Sequence, residues 1–133
     1  MDPAFDSFLS FIRSNKQFEA SRSADWLKYR DHAFCVICAE GDLETVKWFL
    51  NMGADPIYMK NAPLWKACEN GHTAIVIHLL TYKAVVASAH EHRNRCLFAA
   101  QREEYEDIET LLLTIPAVAD GPSMKKWGYG LLD

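Results

Sequence analysis

The sequence contains no Asn-x-Ser/Thr tripeptide and no uninterrupted apolar run near the ~20 residues a membrane-spanning helix needs. It also lacks an N-terminal stretch that joins positive charge, an apolar segment and a small-residue cleavage site, so neither secretion nor membrane spanning is expected. No Gly-x-x-x-x-Gly-Lys-Ser/Thr loop, Gly-x-Gly-x-x-Gly fingerprint or Gly-x-Ser-x-Gly elbow occurs, which leaves phosphate cradling and serine hydrolysis without a local signature. Excess positive charge is missing too. Fourteen Lys and Arg against eighteen Asp and Glu give a net charge of -4, so no overall field draws the chain to phosphate backbones or anionic lipid, and neither nucleic acid nor membrane is an expected partner. Cysteine is scarce: four in 133 residues make no disulfide framework, and each sits in an apolar or mixed helical context. Free thiols and an intracellular setting, cytoplasmic or nuclear, are expected.

What is present is a one-domain length with 50% apolar and 12% aromatic residues, enough to bury a sizeable core. A repeat runs through it. Ala39-Glu40-Gly41-Asp42-Leu43-Glu44-Thr45-Val46 aligns with Glu69-Asn70-Gly71-His72-Thr73-Ala74-Ile75-Val76, glycine over glycine, at a spacing of 30 (41 to 71). In the first copy Ala33, Phe34, Ile37 and Cys38 share a helical face before the glycine, and Leu43, Val46, Phe49 and Leu50 share one after it. Gly41 therefore separates two short amphipathic helices, Asp42 is placed to cap the second, and Gly53 followed by Pro56 ends it. The second copy opens at Ala62-Pro63-Leu64-Trp65, where Pro63 in the first turn costs no hydrogen bond, and its second helix is anchored by Ile75, Val76, Leu79 and Leu80. A third, worn copy runs from Arg95 to Ala100 and from Ile108 to Leu113, with Glu103 or Glu104 where the turn glycine would stand.

These residues resemble the ankyrin repeat, with Ala62-Pro63-Leu64-Trp65-Lys66-Ala67 in place of its Thr-Pro-Leu-His-x-Ala start, Asn70-Gly71-His72 as its turn and Gly53-Ala54-Asp55 as its end. The resemblance covers about residues 29 to 115. It implies an all-α helix-turn-helix solenoid of about three repeats with N- and C-terminal caps. The expected division is a cap over 1–28, repeats over 29–58, 59–88 and 89–118, and a cap or tail over 119–133. The spacing of 30 falls short of the usual ~33, and the missing residues lie between Asp55 and Pro63, which predicts a trimmed β-hairpin finger. Upstream, Phe5, Phe8, Leu9 and Ile12 share a face after Asp2-Pro3 and predict a capping helix; Ser21–Asp25 reads as a polar loop into a short helix over 26–30. The whole chain is accounted for as one array, with no room for a separate catalytic domain.

Several side-chain groups invite a chemical reading. Cys35-Val36-Ile37-Cys38 has the spacing of redox and zinc motifs, but Cys38 holds the small inner-helix position that Cys68 and Ala100 hold in the other units, so packing explains it. His90, His92 and Cys96 have ligand-like spacing without an evident fourth ligand, and an exposed loop is the plainer reading. His72 is read as the turn histidine that bonds neighbouring backbone. The acidic run Glu103, Glu104, Glu106, Asp107 and Glu109 suits a helix N-terminus, or a patch that steers a basic partner. Arg93 and Arg95 are the only dense basic pair near aromatics.

No catalytic residues and no cofactor are expected. The resemblance instead implies a protein-protein interaction module that binds through the concave side and loops. Carried over unit by unit, its partner-binding positions are Tyr29, Arg30 and Glu40 in the first unit, with Ala39 beside them. They are Tyr58, Lys60, Trp65, Glu69 and Asn70 in the second and Gln101 and Arg102 in the third. Tyr, Trp and Arg dominate binding hot spots; for Trp65, packing against a neighbouring unit is an equal reading, while Trp26 and Trp48 read as packing or rim residues. Compact units of this kind are similar to those of protists, large DNA viruses and bacteria living within host cells, which implies an inhibitor or adaptor acting on a host factor. The partner is a protein and the chain itself a monomer. The alternatives are a small metal-binding regulator using Cys35, Cys38, His90, His92 or Cys96, and an array that self-associates through an under-capped end.

Overall fold

A computed structural model describes residues 2–125, and among the described residues there are ten helices and no strand. Helix α1 (Pro3–Arg13) starts where the Asp2 carboxylate accepts the Ala4 N–H at 3.0 Å and Pro3 needs no donor; it buries Phe8, Leu9 and Ile12. Asn15, in the left-handed region at φ 61°, turns the chain, and the Lys16 N–H closes on the Phe11 carbonyl at 2.8 Å. The short α2 (Gln17–Arg22) buries only Ala20 and is not expected from the sequence. Next, α3 (Trp26–Glu40) runs unbroken across the expected 28/29 division, joining the short helix predicted over 26–30 to the first inner helix. Nothing between Trp26 and Glu40 stops a helix, and Tyr29, Ala33, Phe34, Ile37 and Cys38 form one continuous buried face.

The remaining elements repeat a pattern. They are α4 (Leu43–Asn51), α5 (Tyr58–Glu69), α6 (Thr73–Leu79), α7 (Lys83–Ser88), α8 (Glu91–Arg102), α9 (Glu106–Leu113) and α10 (Pro116–Ala119). Helices α3, α5 and α8 pack side by side as an inner row; α4, α6 and α9 form an outer row in register with them, and α1 and α2 cover the free side of α3. One apolar core runs the length of the stack, with Phe34, Phe49, Leu64, Ile75, Leu97 and Ile108 fully buried between the rows. Trp26 stacks on Phe49 (centroids 5.9 Å apart) and meets Trp48 edge-on at 5.5 Å, so both indoles serve packing.

The turns between paired helices use one backbone device. Gly41 (φ 95°), Gly71 (φ 76°) and Glu104 (φ 61°) all adopt the left-handed conformation, which identifies Glu104 as the occupant of the worn turn. After the second and third of these, the N–H groups of His72 and Tyr105 close on the carbonyls of Ala67 (3.0 Å) and Ala100 (2.9 Å). Asp42 caps α4 as expected, accepting the Thr45 N–H at 3.2 Å and its hydroxyl at 2.6 Å. The two glycine turns are also packed by the following unit. His72 Nε2 lies 2.8 Å from the Ala39 carbonyl oxygen with its ring over Gly41, where a Cβ would stand 2.5 Å from Cε1; Tyr105 covers Gly71 in the same way, 2.7 Å from a would-be Cβ.

No hairpin finger projects from the linkers. Instead Met59, Lys60 and Asn61, and again His92, Arg93 and Asn94, form left-handed runs before each inner helix turns right-handed. Such residues cost about 1–2 kcal/mol apiece, which the buried asparagines help to offset: Asn61 Nδ2 donates to Val85 O at 3.2 Å, and Asn94 Nδ2 to Val118 O at 2.8 Å and Pro122 O at 2.9 Å. The two asparagines stand at a spacing of 33 (61 to 94), whereas the first two turn glycines stand at 30, so the first linker is the short one. Residues 126–133, most of the expected cap or tail, lie outside the described residues.

Candidate protein-binding face

The inner row presents one residue per unit at its middle rung: Cys35 on α3, Trp65 on α5 and Phe98 on α8, in register at spacings of 30 and 33 (35 to 65, 65 to 98) and all partly exposed. Trp65 is the centre of this face. Lys66 Nζ stands 4.4 Å and the Arg95 guanidinium carbon 4.5 Å from its ring centroid, so two cations share one indole. Arg95 is further fixed by its Nη2, which donates to the Lys60 carbonyl oxygen at 2.7 Å. Burial raises the Cys35 thiol above its ordinary range, with the nearby charges of Lys66 and Arg95 opposing that shift. Tyr58 borders the same strip, edge-on to His32 at 6.4 Å, and its hydroxyl is raised by burial.

At the turn end of the inner row, Glu69 bridges units, 3.7 Å from Lys66 Nζ and 3.9 Å from Arg102 Nη2. Asn70 is exposed and donates to the Lys66 carbonyl at 2.8 Å, holding the last turn of α5. Lys60 is exposed at the tip of its linker. Six of the expected partner-binding positions therefore gather on or beside α5 or its neighbour: Tyr58, Lys60, Trp65, Glu69, Asn70 and Arg102.

The other four have structural partners that occupy them. Tyr29, expected on the exposed face, is instead buried at 7% exposure beneath α1, where Phe5 and Phe8 pack on its ring and its hydroxyl donates to Asp2 at 2.6 Å, so its side chain is spent on fixing the cap. Arg30 pairs with Asp31 at 3.1 Å and leans toward Gly53. Glu40 accepts from Arg13 of α1, tying cap to turn. Gln101 is engaged at both ends, Nε2 donating to Glu109 at 2.8 Å and Oε1 accepting the Met124 N–H at 2.9 Å. Burial alone would raise the Glu109 carboxyl, but the hydrogen bonds from Gln101 and Lys125 and the Lys125 charge, 2.9 Å away, outweigh it and hold the group below the usual glutamate range.

Arg95 and Lys66 as flanks of Trp65 are missed by sequence reasoning. The signal is there: Lys66 is the next residue, and Arg95 opens the inner helix one unit on. The ligand-like cysteines and histidines do not converge. Among the described residues no group of three or more His, Cys, Asp or Glu side chains comes together as a metal site. Cys38 is fully buried, with its thiol pushed up by desolvation, and Cys68 is held protonated first by its hydrogen bond with Cys96 and then by burial. All four thiols are free. Among the described residues no helix is long and apolar enough to cross a membrane.

Comparison with curated proteins and with solved structures finds no match. A family model does: Ankyrin repeats (3 copies) matches residues 34–120, a span that begins inside α3, ends just after α10 and takes in all three turns. With its paired helices, left-handed turns and stacked inner row, the chain belongs to the ankyrin-repeat family, whose members are protein-interaction modules.

Proposed function

We propose that this chain is a non-catalytic binding module that recognises a protein partner through the inner-helix face and the linkers beside it, centred on Trp65. The observation that carries this reading is the partly exposed indole held between Lys66 and Arg95. A large ring with fixed cations on it contributes contact area at little entropic cost, which is the chemistry of an interaction hot spot. Tyr58 and the Glu69 bridge extend the surface on either side, and the core beneath it is packed independently of them. Four free thiols fit a reducing cellular compartment. The compact first linker fits a chain made by a virus or an intracellular bacterium to inhibit or redirect a host factor.

The test is a quantitative pull-down from cell lysate with the wild type, a Trp65→Ala/Glu69→Ala variant and an outer-face control, Lys47→Gln, each shown to be folded by circular dichroism. A protein captured by wild type and control and lost with the double variant supports the reading; equal capture by all three overturns the placement. We take the module to act as a monomer. The exposed Phe18 and Leu27 near the N-terminal end favour self-association as the second reading. Light scattering that stays at 15.2 kDa across concentration supports the first, and a mass that climbs with concentration supports the second.

A further inference from the structure

We propose that the binding face is built for an acidic, extended peptide segment, with Arg95, Lys60 and Arg93 receiving its carboxylates over the Trp65 ring. This rests on the reading of that face as the partner site and adds the chemistry of the partner. The chain as a whole is acidic, at -4, yet these three cations stand in the residues that open two successive inner helices, Lys60 and Arg93 exposed, and among the described residues none of them has a carboxylate within 4.0 Å. Cations nearer the turn end differ: Lys66 and Arg102 share Glu69, and Arg102 also meets Glu103 at 3.3 Å. Lys16, Arg22, Lys28 and Lys83 also stand outside any ion pair among the described residues, but the strip of Lys60, Arg93 and Arg95 is the one joined to Trp65, through Arg95.

That strip is preorganised. Arg95 is held by its hydrogen bond to the Lys60 carbonyl and by stacking on Trp65, so little side-chain freedom remains to be lost when an anion binds its open N–H groups. Lys60 and Arg93 occupy the same place in consecutive linkers, each the middle residue of a left-handed run (φ 58° and 56°) anchored by a buried asparagine. Two stacked units therefore present their basic side chains from equivalent backbone. Packed helices stand about 8–10 Å apart, and an extended chain in the polyproline-II conformation turns once in about three residues and rises about 3.1 Å per residue, so carboxylates on every third residue of such a segment laid across the units fall on one face and match the cations. A nucleic acid fits less well: its charge is denser than three cations neutralise, and the rest of the molecule repels it.

The experiment is fluorescence anisotropy at low salt with a short fluorescein-labelled Gly/Ser peptide carrying Glu at every third position, its Gln analogue, and a single-stranded oligonucleotide of equal length. The Glu peptide is expected to bind and to weaken as salt is added, while the Gln peptide does not bind. Lys60→Gln/Arg95→Gln is expected to weaken binding about tenfold, with Lys47→Gln unchanged. Lys60→Gln alone changes an exposed tip, keeps the fold and is expected to weaken binding about threefold. No binding of the Glu peptide, equal binding of the Gln peptide, or tighter binding of the oligonucleotide overturns the proposal. Loss of a partner in the Trp65 pull-down together with no acidic-peptide binding removes the charge assignment and leaves the binding face standing. Peptide binding without that loss does the reverse.

Discussion

Glu104 shows what a single worn position costs. It carries the left-handed φ of 61° that Gly41 and Gly71 adopt freely, and it is exposed, with no ion pair to its side chain among the described residues. Relief of the Cβ strain exceeds the added flexibility of glycine in the unfolded chain, so Glu104→Gly is expected to stabilise the protein by about 1 kcal/mol, read as a higher urea midpoint at unchanged slope. The opposite holds at Gly41. Its φ of 95° and the His72 ring, 2.5 Å from a would-be Cβ, predict that Gly41→Ala destabilises by about 2 kcal/mol. Adding His72→Ala removes the clash, so the double variant should lose less than the two singles summed; strict additivity would remove the contact from the account. His72 is legible as a turn histidine from its place after Gly71. Tyr105 is not, because its own unit has lost the glycine that marks the motif.

At the scale of elements, paired helices with capped starts are readable from spacing, whereas the joints between units are not. Three residues in a row with positive φ have no sequence signature when none is glycine; only the recurrence of Asn61 and Asn94 before inner helices hints at them. The short α2 has neither a side-chain cap nor an apolar stripe, and its existence depends on packing against α1 and α3. The start of α9 illustrates a different joint. Glu109 titrates lower in the folded than in the unfolded chain, so its contribution is complete above the ordinary glutamate range (~4.3) and is lost as pH falls through the folded value. Glu109→Gln is therefore expected to lower stability at neutral pH and to make it less dependent on pH below that range. Urea titrations at a series of pH values check this, and parallel curves for the two proteins would show that the carboxylate carries no such linkage.

The whole molecule is a stack in which each unit covers the next. Removing everything after residue 90 would strip α8 and α9 from the side of α5 and α6 and expose Leu64, Cys68 and Ile75, which the intact chain buries. That fragment is expected to lack a cooperative thermal transition and to aggregate, as calorimetry and scattering would reveal; a sharp transition would mean two units and a cap suffice. The array is readable before any coordinates because apolar periodicity, turn glycines and a fixed spacing are properties of neighbours in the chain, and the solenoid follows from them since no unit buries its own faces. The binding face is readable only as a set of register positions. That Tyr29 lies under α1, that Gln101 is spent on Glu109 and Met124, and that Arg95 crosses to Trp65 depend on which side chains meet between elements far apart in the chain. A repeat spacing sets which helix faces oppose one another. Which cation finds a carboxylate and which is left for a partner is settled by packing in three dimensions, where burial and pairing compete for each side chain.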